Sequence, residues 1–533
     1  MKKVYSLALA VLFAASAFAY EQIGQLNPYA YGVQAQSRAG KIAVQYQLNA
    51  PADSTIIAIY CNEVEVGKQV ITDNAKGLHS AVVDITGAYT AGGKYTVGIR
   101  VFGTPYDQPT QLKEIKDNAT DTTALCYAFY HPKGVDIDRD PFSPNFGRIL
   151  TDEAMQDTPD EGYHSSAAVD KDGLYAFDPS FAPIANGNNL AFKGGLEFAV
   201  RMSDGSTRAY TPYRIRISKD GRIFVSMQDD VHSPLYEVSA DLQTWTPIFN
   251  GTMTDGVMLD ADGKYITGIN CGMDVRGEGE NLEIIMLNTN LSGMASYNGK
   301  GQIIATYKLG TATSWNGPAT TADTLFNVVG EGVVPVIGNC GIAYDEMIDG
   351  YWYIGNRSNA IGEKALVHVN ANGEVDWSIS ENDSTLFSLN GNGFNGGGNA
   401  RLQDGMLMVG TSQRVGGTGH LQIFDVTYAN NGNVPALAKK WELDVIGISR
   451  NLNDFAIDYG HNLYTVGNSN EKIVPIMLPY DGMVETPVAA EVEIVSGIEN
   501  VDGEMKVQKM VENGQVVIVK DGVKYNMLGA IVK

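Results

Sequence analysis

The chain is built from short segments in which apolar and polar positions alternate. Every second residue from Ile42 to Leu48 is apolar, which is the period of a strand with one buried face. Short β-branched or aromatic runs of this kind recur along the chain, and turns rich in Gly, Asp and Asn separate them. No segment keeps a helical apolar period beyond about two turns. The pattern therefore predicts an all-β protein.

The first folded unit is predicted over residues 36–104. Its strands are expected at 42–48, 55–61, 79–85 and 95–102, and this even spacing suits a small β-sandwich. A polar connector is predicted over residues 105–126.

A longer unit recurs over residues 127–480. It consists of a strand, a turn of Asp or Asn with Gly, and a second strand, and instances lie around Gly173, Gly221 and Gly263. The spacing of roughly forty to seventy residues is typical of sheets repeated about an axis with insertions in the loops. We predict a β-propeller of about six blades, with five or seven as alternatives, because such a ring protects its strand edges. A run of separate sandwiches is the other architecture that fits.

Two stretches resemble segments of known families. The sandwich resembles the immunoglobulin-like domain of flagellar hook-capping proteins in "KIAVQYQL", "GLHSAVVDITG" and "GGKYTVGIRV". It departs from that family at Val83-Asp84-Ile85, where Trp-Asp-Gly is usual. The stretch from Ser143 to Arg148 resembles the segment that leads from such a domain into the propeller in exported Bacteroidetes proteins. The resemblance implies a spacer domain followed by a propeller and names no reaction.

The first nineteen residues predict export. Lys2 and Lys3 precede an apolar run of signal-peptide length, and Ala17-Phe18-Ala19 has the pattern that signal peptidase cleaves, so cleavage is expected after Ala19. A buried N-terminal helix is the alternative. No later stretch is apolar enough to predict a membrane span. We therefore expect the extracellular space or the outer-membrane surface, with the periplasm as the alternative.

Charge excludes one class of partner. Removing residues 1–19 takes away two of the 38 basic residues and none of the 61 acidic ones, so 36 minus 61 leaves a net charge of −25. Nucleic-acid binding needs clustered Lys and Arg, and this balance argues against it.

The end of the chain predicts a secretion signal. An acidic linker is predicted over residues 481–495, followed by a β-rich segment over 496–533. That segment resembles the C-terminal sorting domain of the Bacteroidetes type IX secretion system, and Tyr525, Asn526, Gly529 and Lys533 match its pattern. The resemblance implies the secretion machinery as a partner. It is shorter than the usual signal, and a β-hairpin that closes the fold is the alternative.

Calcium is the one cofactor that the sequence suggests. Asp136, Asp138 and Asp140 alternate in a predicted loop, and oxygen ligands at such positions converge on calcium when the loop curls. Pro141 follows the third Asp where an EF-hand has Gly. A solvated turn is the alternative.

Asp229, Asp230 and His232 are the candidate catalytic residues. They follow a predicted strand at 223–227, and paired carboxylates beside a His suit acid–base work or metal binding. Polar loop residues without a shared role are the alternative. Cys271 and Cys340 form a disulfide in an oxidising compartment or stay as separate buried thiols; the sequence leaves both open.

The sequence favours a non-enzymatic propeller that binds a glycan or a protein. The alternative is a secreted propeller enzyme, either a glycan hydrolase or lyase or a metal-dependent lactonase. Three or more carboxylate or His side chains gathered at the channel mouth would favour the enzyme. A mouth lined by Asn, Gly and aromatic side chains would favour binding.

Overall fold

The fold is all-β. The computed structural model describes residues 25–38, 40–105, 107–112, 132–153, 173–182, 184, 196–197, 199–201, 207–209, 212–227, 232–254, 257–263, 265–268, 270–288, 303–315, 324–327, 341–354, 364–380, 399–412, 419–429, 434–445, 452–467, 473–491, 508–512, 515–520 and 523–525. The helices among these residues are two single 3-10 turns, Thr86–Ala88 and Gly279–Asn281. In these ranges no helix has the length and apolar character that a membrane crossing requires. The predicted signal peptide lies outside the described residues.

Six antiparallel sheets of four strands form the central unit, and we number them as blades 1 to 6. In blades 1 to 5 the four strands follow one another in the chain from the innermost to the outermost. Blade 6 has the same order for its inner three strands, but its outermost strand comes from a part of the chain before blade 1. The strands are Val135–Ile137, Ile149–Glu153, Gly173–Phe177 and Leu196–Glu197 in blade 1; Pro212–Ile217, Ile223–Met227, Leu235–Val238 and Trp245–Pro247 in blade 2; Asn270–Arg276, Glu283–Asn288, Ile303–Lys308 and Thr324–Asn327 in blade 3; Gly341–Asp345, Gly350–Ile354, Lys364–Val369 and Val375–Ser380 in blade 4; Ala400–Gln403, Met406–Ser412, Gly419–Ala429 and Val434–Val445 in blade 5; and Leu452–Ile457, Asn462–Gly467, Val474–Met477 and Thr110–Gln111 in blade 6.

The six blades close into a ring. Each innermost strand contacts the innermost strand of the next blade, and the strand of blade 6 contacts that of blade 1. A separate apolar cluster fills each gap between neighbouring blades, as in the gap between blades 4 and 5, where Trp352, Leu407 and Phe424 pack. This is a six-bladed β-propeller, as the sequence predicts, and it is not a run of separate sandwiches.

The connector predicted over residues 105–126 contains a strand of the propeller. Thr110–Gln111 pairs with Val474–Met477, so the chain before the first blade completes the last one. A strand of two residues is too short to show an alternation of apolar and polar positions, so the sequence does not reveal it. Blade 6 therefore combines strands that lie before and after the other five blades in the chain, which ties the ring closed.

Two packed sheets form a β-sandwich beside the propeller. One sheet contains Ala30–Arg38, Lys41–Leu48 and Gly77–Asp84; the other contains Met483–Ala489, Tyr95–Phe102, Ser54–Cys61 and Val64–Ile71, in that order. Their facing apolar side chains, among them Ile42, Ile57 and Val97, form one core. Strand Val64–Ile71 shows no clear alternation in burial, which explains why the pattern did not reveal it.

The linker predicted over residues 481–495 contains a strand of the sandwich, so the prediction is wrong for residues 483–489. Met483–Ala489 pairs with Tyr95–Phe102 along its whole length. Glu485 bonds Arg100 and Tyr60 there, and Thr486 is buried. The acidic residues suggested a linker, yet one of them, Glu485, forms an ion pair with Arg100 of the neighbouring strand.

Two smaller sheets are inserted between blades. Ala199–Arg201 pairs with Thr207–Ala209 ahead of blade 2, and Thr252–Thr254, Val257–Leu259 and Tyr265–Gly268 form a sheet between blades 2 and 3. The Asp-Gly turn at Gly263, which the sequence suggests as part of a repeat, therefore belongs to an insertion. Its φ of +76° and the φ of +80° at Gly221 show why Gly is required in both turns.

The stretch from Ser143 to Arg148 joins the propeller to the sandwich. Asp138 accepts a hydrogen bond from Ser143 Oγ (2.6 Å), which holds the turn, and Phe146 packs edge-on against Tyr29 and Tyr459. Tyr29 precedes the first sandwich strand and Tyr459 lies in blade 6. The motif therefore has a structural role in docking the two units.

The last described strands form a sheet of their own. Gln508–Glu512, Gln515–Lys520 and Val523–Tyr525 are antiparallel and join neither the sandwich nor the propeller sheets. The strand that completes the sandwich sheet is Met483–Ala489, ahead of this segment, and both predictions for residues 496–533 stay open. Asn526, Gly529 and Lys533 lie outside the described residues.

Candidate functional site in the propeller channel

Three aspartates, two of them buried and Asp274 partly exposed, join neighbouring blades around the channel. The innermost strands are not hydrogen-bonded to each other as a ladder, so their backbone N–H groups need other partners. Asp136, Asp274 and Asp454 each accept from the following N–H of their own strand and from an N–H of the next blade. The second set of bonds comes from Ile217 N (2.7 Å), Tyr344 N (2.8 Å) and Val135 N (3.2 Å), respectively.

Two arginines fill the space between these carboxylates. Arg216 Nη1 lies 2.9 Å from Asp454 Oδ2, and its Nε lies 3.8 Å from Asp274 Oδ1. Arg401 pairs with Asp136. Burial raises the pKa of Asp454, but Arg216, Arg214 and Arg401 outweigh it and hold that pKa below its usual value. We call the side chains of Asp136, Asp274, Asp454, Arg216 and Arg401 the axial network. It occupies the channel, and its positive and negative charges are paired.

One end of the channel, the lower end, is crossed by ion pairs between turns. Arg139 Nη2 lies 2.9 Å from Asp404 Oδ2, joining blades 1 and 5, and Lys219 Nζ lies 3.5 Å from Glu346 Oε1, joining blades 2 and 4. These turns follow the innermost strands, so the lower end is where those strands finish.

The other end, the upper mouth, is where the innermost strands begin. Asp152 Oδ1 accepts from Lys133 N (2.6 Å) and Gly134 N (2.9 Å), just before the first strand of blade 1. Arg214 Nη1 donates to Lys133 O (2.6 Å) beside it. Complete burial raises the pKa of Asp152 to about 7, against the opposing effect of those two N–H groups and of Arg214.

Three wholly buried acceptor oxygens at the upper mouth have no hydrogen-bond partner within the described part of the chain: Asp152 Oδ2, Asn399 Oδ1 and Asn453 Oδ1. The other atoms of these groups are engaged: Asn399 Nδ2 donates to Asp454, and Asn453 Nδ2 donates to Pro132 O at 2.9 Å. Buried polar atoms are seldom left unpaired in native proteins. These three oxygens therefore mark a place where a donor from solvent or from a ligand belongs.

Close approach of the strands shapes this mouth. A Cβ at Gly134 would lie 2.8 Å from Ile215 N, and a Cβ at Gly341 would overlap Asn399 and Ala400. Glycine at both positions lets neighbouring blades meet and lets Asn399 reach the axis.

The buried Asp152 carboxyl group should make the stability of the protein depend on pH. The pKa of Asp152 is about 7 in the fold and near 3.8 when unfolded, so its contribution is present at low pH and is lost as the pH rises through 7. Between pH 5 and 8 this loss is roughly 2–3 kcal/mol. Asp152→Asn keeps an acceptor for both N–H groups and stays neutral, so we expect a flatter profile and higher stability at pH 8. Urea midpoints at four pH values measure this.

Asp458 provides the matched control. Burial raises its pKa to about 7 as well, in blade 6 and away from the mouth, where Gly460 N and Asn462 donate to it. Asp458→Asn should also reduce the dependence of the free energy of unfolding on pH. In the double variant the reductions caused by Asp152→Asn and Asp458→Asn should add. An unchanged slope in Asp152→Asn would mean that Asp152 is already ionised at pH 5.

The calcium site predicted from Asp136, Asp138 and Asp140 is not formed. Asp136 points into the axial network, Asp138 accepts from Ser143 Oγ, and Asp140 accepts from Phe142 N (2.9 Å). Backbone and side-chain donors already occupy the carboxylates, and Asp136 lies in a strand and not in the loop. Throughout the described ranges no three His, Cys, Asp or Glu side chains are placed to hold a metal ion.

The catalytic candidates fall at the edge of what the structure describes. Asp229 and Asp230 lie outside the described residues, and His232 is half-buried just before Leu235–Val238 of blade 2. The prediction for this trio stays open. Cys340 and the side chain of Cys271 also lie outside the described part.

Sequence reasoning missed the axial network and the upper mouth. Arginines at alternate positions in Arg214-Ile215-Arg216, inside an otherwise apolar strand, were a usable signal, because charged residues are seldom buried unless paired. Asp274 and Asp454 occupy similar apolar strands. Nothing in the sequence indicated that Asn399 and Asn453 would meet at one mouth.

Comparisons with known proteins give a fold and no family. No protein-family model matches the chain, and no curated protein matches its sequence. Among solved structures it is similar to a protein of unknown function from Bacteroides thetaiotaomicron (9% identity, 85% of this chain and 98% of that one, TM-score 0.34). It is also similar to the soluble aldose sugar dehydrogenase of Escherichia coli (9% identity, 65% and 96%, TM-score 0.37) and to an endo-1,4-beta-xylanase of B. thetaiotaomicron (9% identity, 60% and 97%, TM-score 0.29).

At TM-scores below 0.5 these similarities carry no argument about the function of this chain. The propeller itself follows from the closed ring of six blades.

Proposed function

We propose that this protein is an exported β-propeller that binds a polyhydroxylated ligand, a glycan, at the upper mouth of its channel. The observation that carries the proposal is the set of unpaired acceptor oxygens on Asp152, Asn399 and Asn453. Sugar hydroxyl groups donate hydrogen bonds, and a few well-placed polar groups in an enclosed site fix the orientation of a ligand.

The arrangement of charge supports this location. The axial network fills the channel below the mouth, and ion pairs between turns tie the lower end. The described part of the mouth contains Asn399, Asn453, Gly134 and Gly341 together with Asp152 and Arg214. It has one carboxylate and not the three that would favour an enzyme. Trp352 and Tyr353 are buried between blades, so neither is exposed for stacking on a sugar ring.

A propeller enzyme is the second candidate, and Asp152 favours it. A carboxyl group with a pKa of about 7 and one unpaired oxygen has the properties of a general acid or base at neutral pH. The carboxylates of the axial network are already bound to arginines and backbone N–H groups. Asp152 would therefore have to act as general acid or base without a second carboxylate from that network.

We further propose that the sandwich is an immunoglobulin-like spacer and that residues 496–533 direct type IX secretion. The leader predicted over residues 1–19, the seven-strand sandwich and the separate C-terminal sheet support this arrangement. Deletion of residues 496–533 followed by cell fractionation tests the tail.

A glycan array tests the proposed function. We expect the mature protein to bind a limited set of glycans and Asn453→Ala to weaken that binding about tenfold, because one buried hydrogen bond contributes about 1 kcal/mol or more. The control is Asp404→Asn, which breaks the exposed pair with Arg139 at the lower end and should bind as the unaltered protein does.

Two results would contradict the proposal. Absence of glycan binding by the unaltered protein would remove the function, and equal binding by folded Asn453→Ala would place the ligand elsewhere. Turnover of a bound glycan that disappears in Asp152→Asn would select the enzyme.

A further inference from the structure

One edge of the β-sandwich is an open strand. Gly77–Asp84 is the last strand of its sheet, and in the described part of the chain it pairs with Lys41–Leu48 alone. We call its outward side the open edge. Two apolar side chains on this strand are exposed, Leu78 by 64% and Val82 by 55%. An exposed apolar strand with an unpaired backbone is a template for pairing with another strand.

The direction of the backbone groups shows where a further strand would bond. Ile85 N donates to Gly40 O at 2.7 Å, and the register from there along Gly77–Asp84 has no shift. Backbone groups alternate in direction along an antiparallel strand, so the odd-numbered residues bond to the neighbouring strand. The even-numbered residues, whose side chains are the exposed ones, direct their N–H and C=O groups to the open edge. These residues are Leu78, Ser80, Val82 and Asp84.

The other three edge strands of the sandwich have features that hinder such pairing. Val64–Ile71 carries Lys68 and a register shift. Ala30–Arg38 has a register shift as well, and its backbone already bonds to the N–H and C=O of Glu491. The fourth edge strand contains Pro487, which has no N–H to donate. Natural sheets protect their edges with these devices, and the described residues of the open edge have none of them.

Charge does not oppose association through the sandwich. Residues 25–104 contain six basic and five acidic residues, and Glu485 brings the acidic count to six, so the sandwich has no net charge. The net charge of −25 therefore belongs to the rest of the protein. Lys76 and Asp84, at the two ends of the open edge, are both exposed, and the pair of Asp84 with Lys41 is long at 3.8 Å.

We propose that two copies of this protein associate through their open edges as an antiparallel strand pair, with Ser80 on the two-fold axis. In this register Leu78 of one copy lies opposite Val82 of the other, and Lys76 lies opposite Asp84. Cross-strand pairs of apolar residues and of opposite charges both stabilise a sheet. A shift of two residues in either direction would remove both kinds of pair, so the side chains select this register. A two-fold contact is closed and gives a dimer.

Sedimentation velocity of the mature full-length protein, from micromolar to hundreds of micromolar concentration, tests the proposal. We expect a monomer–dimer equilibrium. Val82→Lys should weaken the dimer about tenfold or more, because a charge on an edge strand opposes pairing. Val70→Lys is the matched control, since Val70 is 62% exposed on the edge strand of the other sheet, and it should leave the dimer unchanged. Both sites are exposed, so both variants should unfold at the temperature of the unaltered protein.

A cysteine on the two-fold axis tests the register. Ser80→Cys places the new thiols of the two copies opposite each other, at a backbone spacing that a disulfide accepts. Mild oxidation should therefore join two copies through Cβ-linked sulfurs. Val82→Cys faces Leu78 of the other copy and should cross-link far more slowly. The unaltered protein reports any cross-linking by its native cysteines.

Four results would overturn the proposal. A monomer at every concentration would remove the dimer. A dimer that Val82→Lys leaves unchanged would place the contact elsewhere, and its loss in Val70→Lys would place it on the other sheet. Cross-linking of Val82→Cys as fast as that of Ser80→Cys would exclude the register. A dimer that forms only after deletion of residues 496–533 would show that the C-terminal segment of the same chain occupies the open edge.

Discussion

Asp454→Ala should destabilise the propeller by about 3–5 kcal/mol, the largest loss expected from a single substitution in this chain. The change leaves the Arg216 guanidinium without its partner at 2.9 Å in a site where both side chains are almost completely buried. It also removes the acceptor for Val135 N and for Asn399 Nδ2. Asp454 lies in blade 6 and bonds to residues of blades 1, 2 and 5. The substitution therefore removes contacts that hold the ring closed.

Urea unfolding followed by tryptophan fluorescence measures this directly. All five tryptophans lie within residues 245–441, so their signal reports the propeller and not the sandwich. Asp404→Asn is the matched control, since its pair with Arg139 is partly exposed and such pairs contribute about 1 kcal/mol or less.

A double variant separates charge from packing. Arg216→Met with Asp454→Leu replaces the buried pair by apolar side chains and should recover at least half of the loss, because the penalty comes mainly from stranding one charge. A loss below 1 kcal/mol in Asp454→Ala would show that water or a neighbouring group takes over the role of the carboxylate.

Local alternation and turn chemistry predicted much of this fold. The strands from Lys41 to Leu48 and from Tyr95 to Phe102 were visible in the sequence because one face of each is apolar. The Asp-Gly turns were visible because only Gly adopts their backbone conformation readily. What local patterns do not contain is pairing between distant segments, such as Thr110–Gln111 with Val474–Met477.

The candidate site was much less predictable. Asp136 was singled out correctly as unusual, but the reason lay in Arg401, far away in the chain, and not in Asp138 and Asp140. A run of alternating acids predicts calcium only when the loop curls, and here Asp136 lies in a strand and points to the axis. Buried charges are placed by the ring, so their partners come from other blades.

Deleting residues 481–533 should unfold the sandwich, whereas deleting only residues 496–533 should not. The longer deletion removes Met483–Ala489, whose ladder covers Tyr95–Phe102. Ladder and side-chain bonds of about 0.5–1.5 kcal/mol each sum to on the order of 5 kcal/mol or more. Domains are usually stable by about 5–15 kcal/mol, so the loss takes most of that margin. Among the described strands, the shorter deletion removes those of the separate C-terminal sheet and none of the sandwich.

Hydrogen exchange at Tyr95–Phe102 distinguishes the two proteins. The 496–533 deletion should keep the protection of the full chain, and the 481–533 deletion should lose it. Cell fractionation of the shorter deletion then tests the sorting proposal without the complication of misfolding: a folded protein retained in the periplasm supports it, and unchanged secretion contradicts it. If both deletions kept full protection, the strand Met483–Ala489 would be dispensable. Arg100 and Tyr60 would then need no partner in Glu485, although all three lie together in a partly buried sheet.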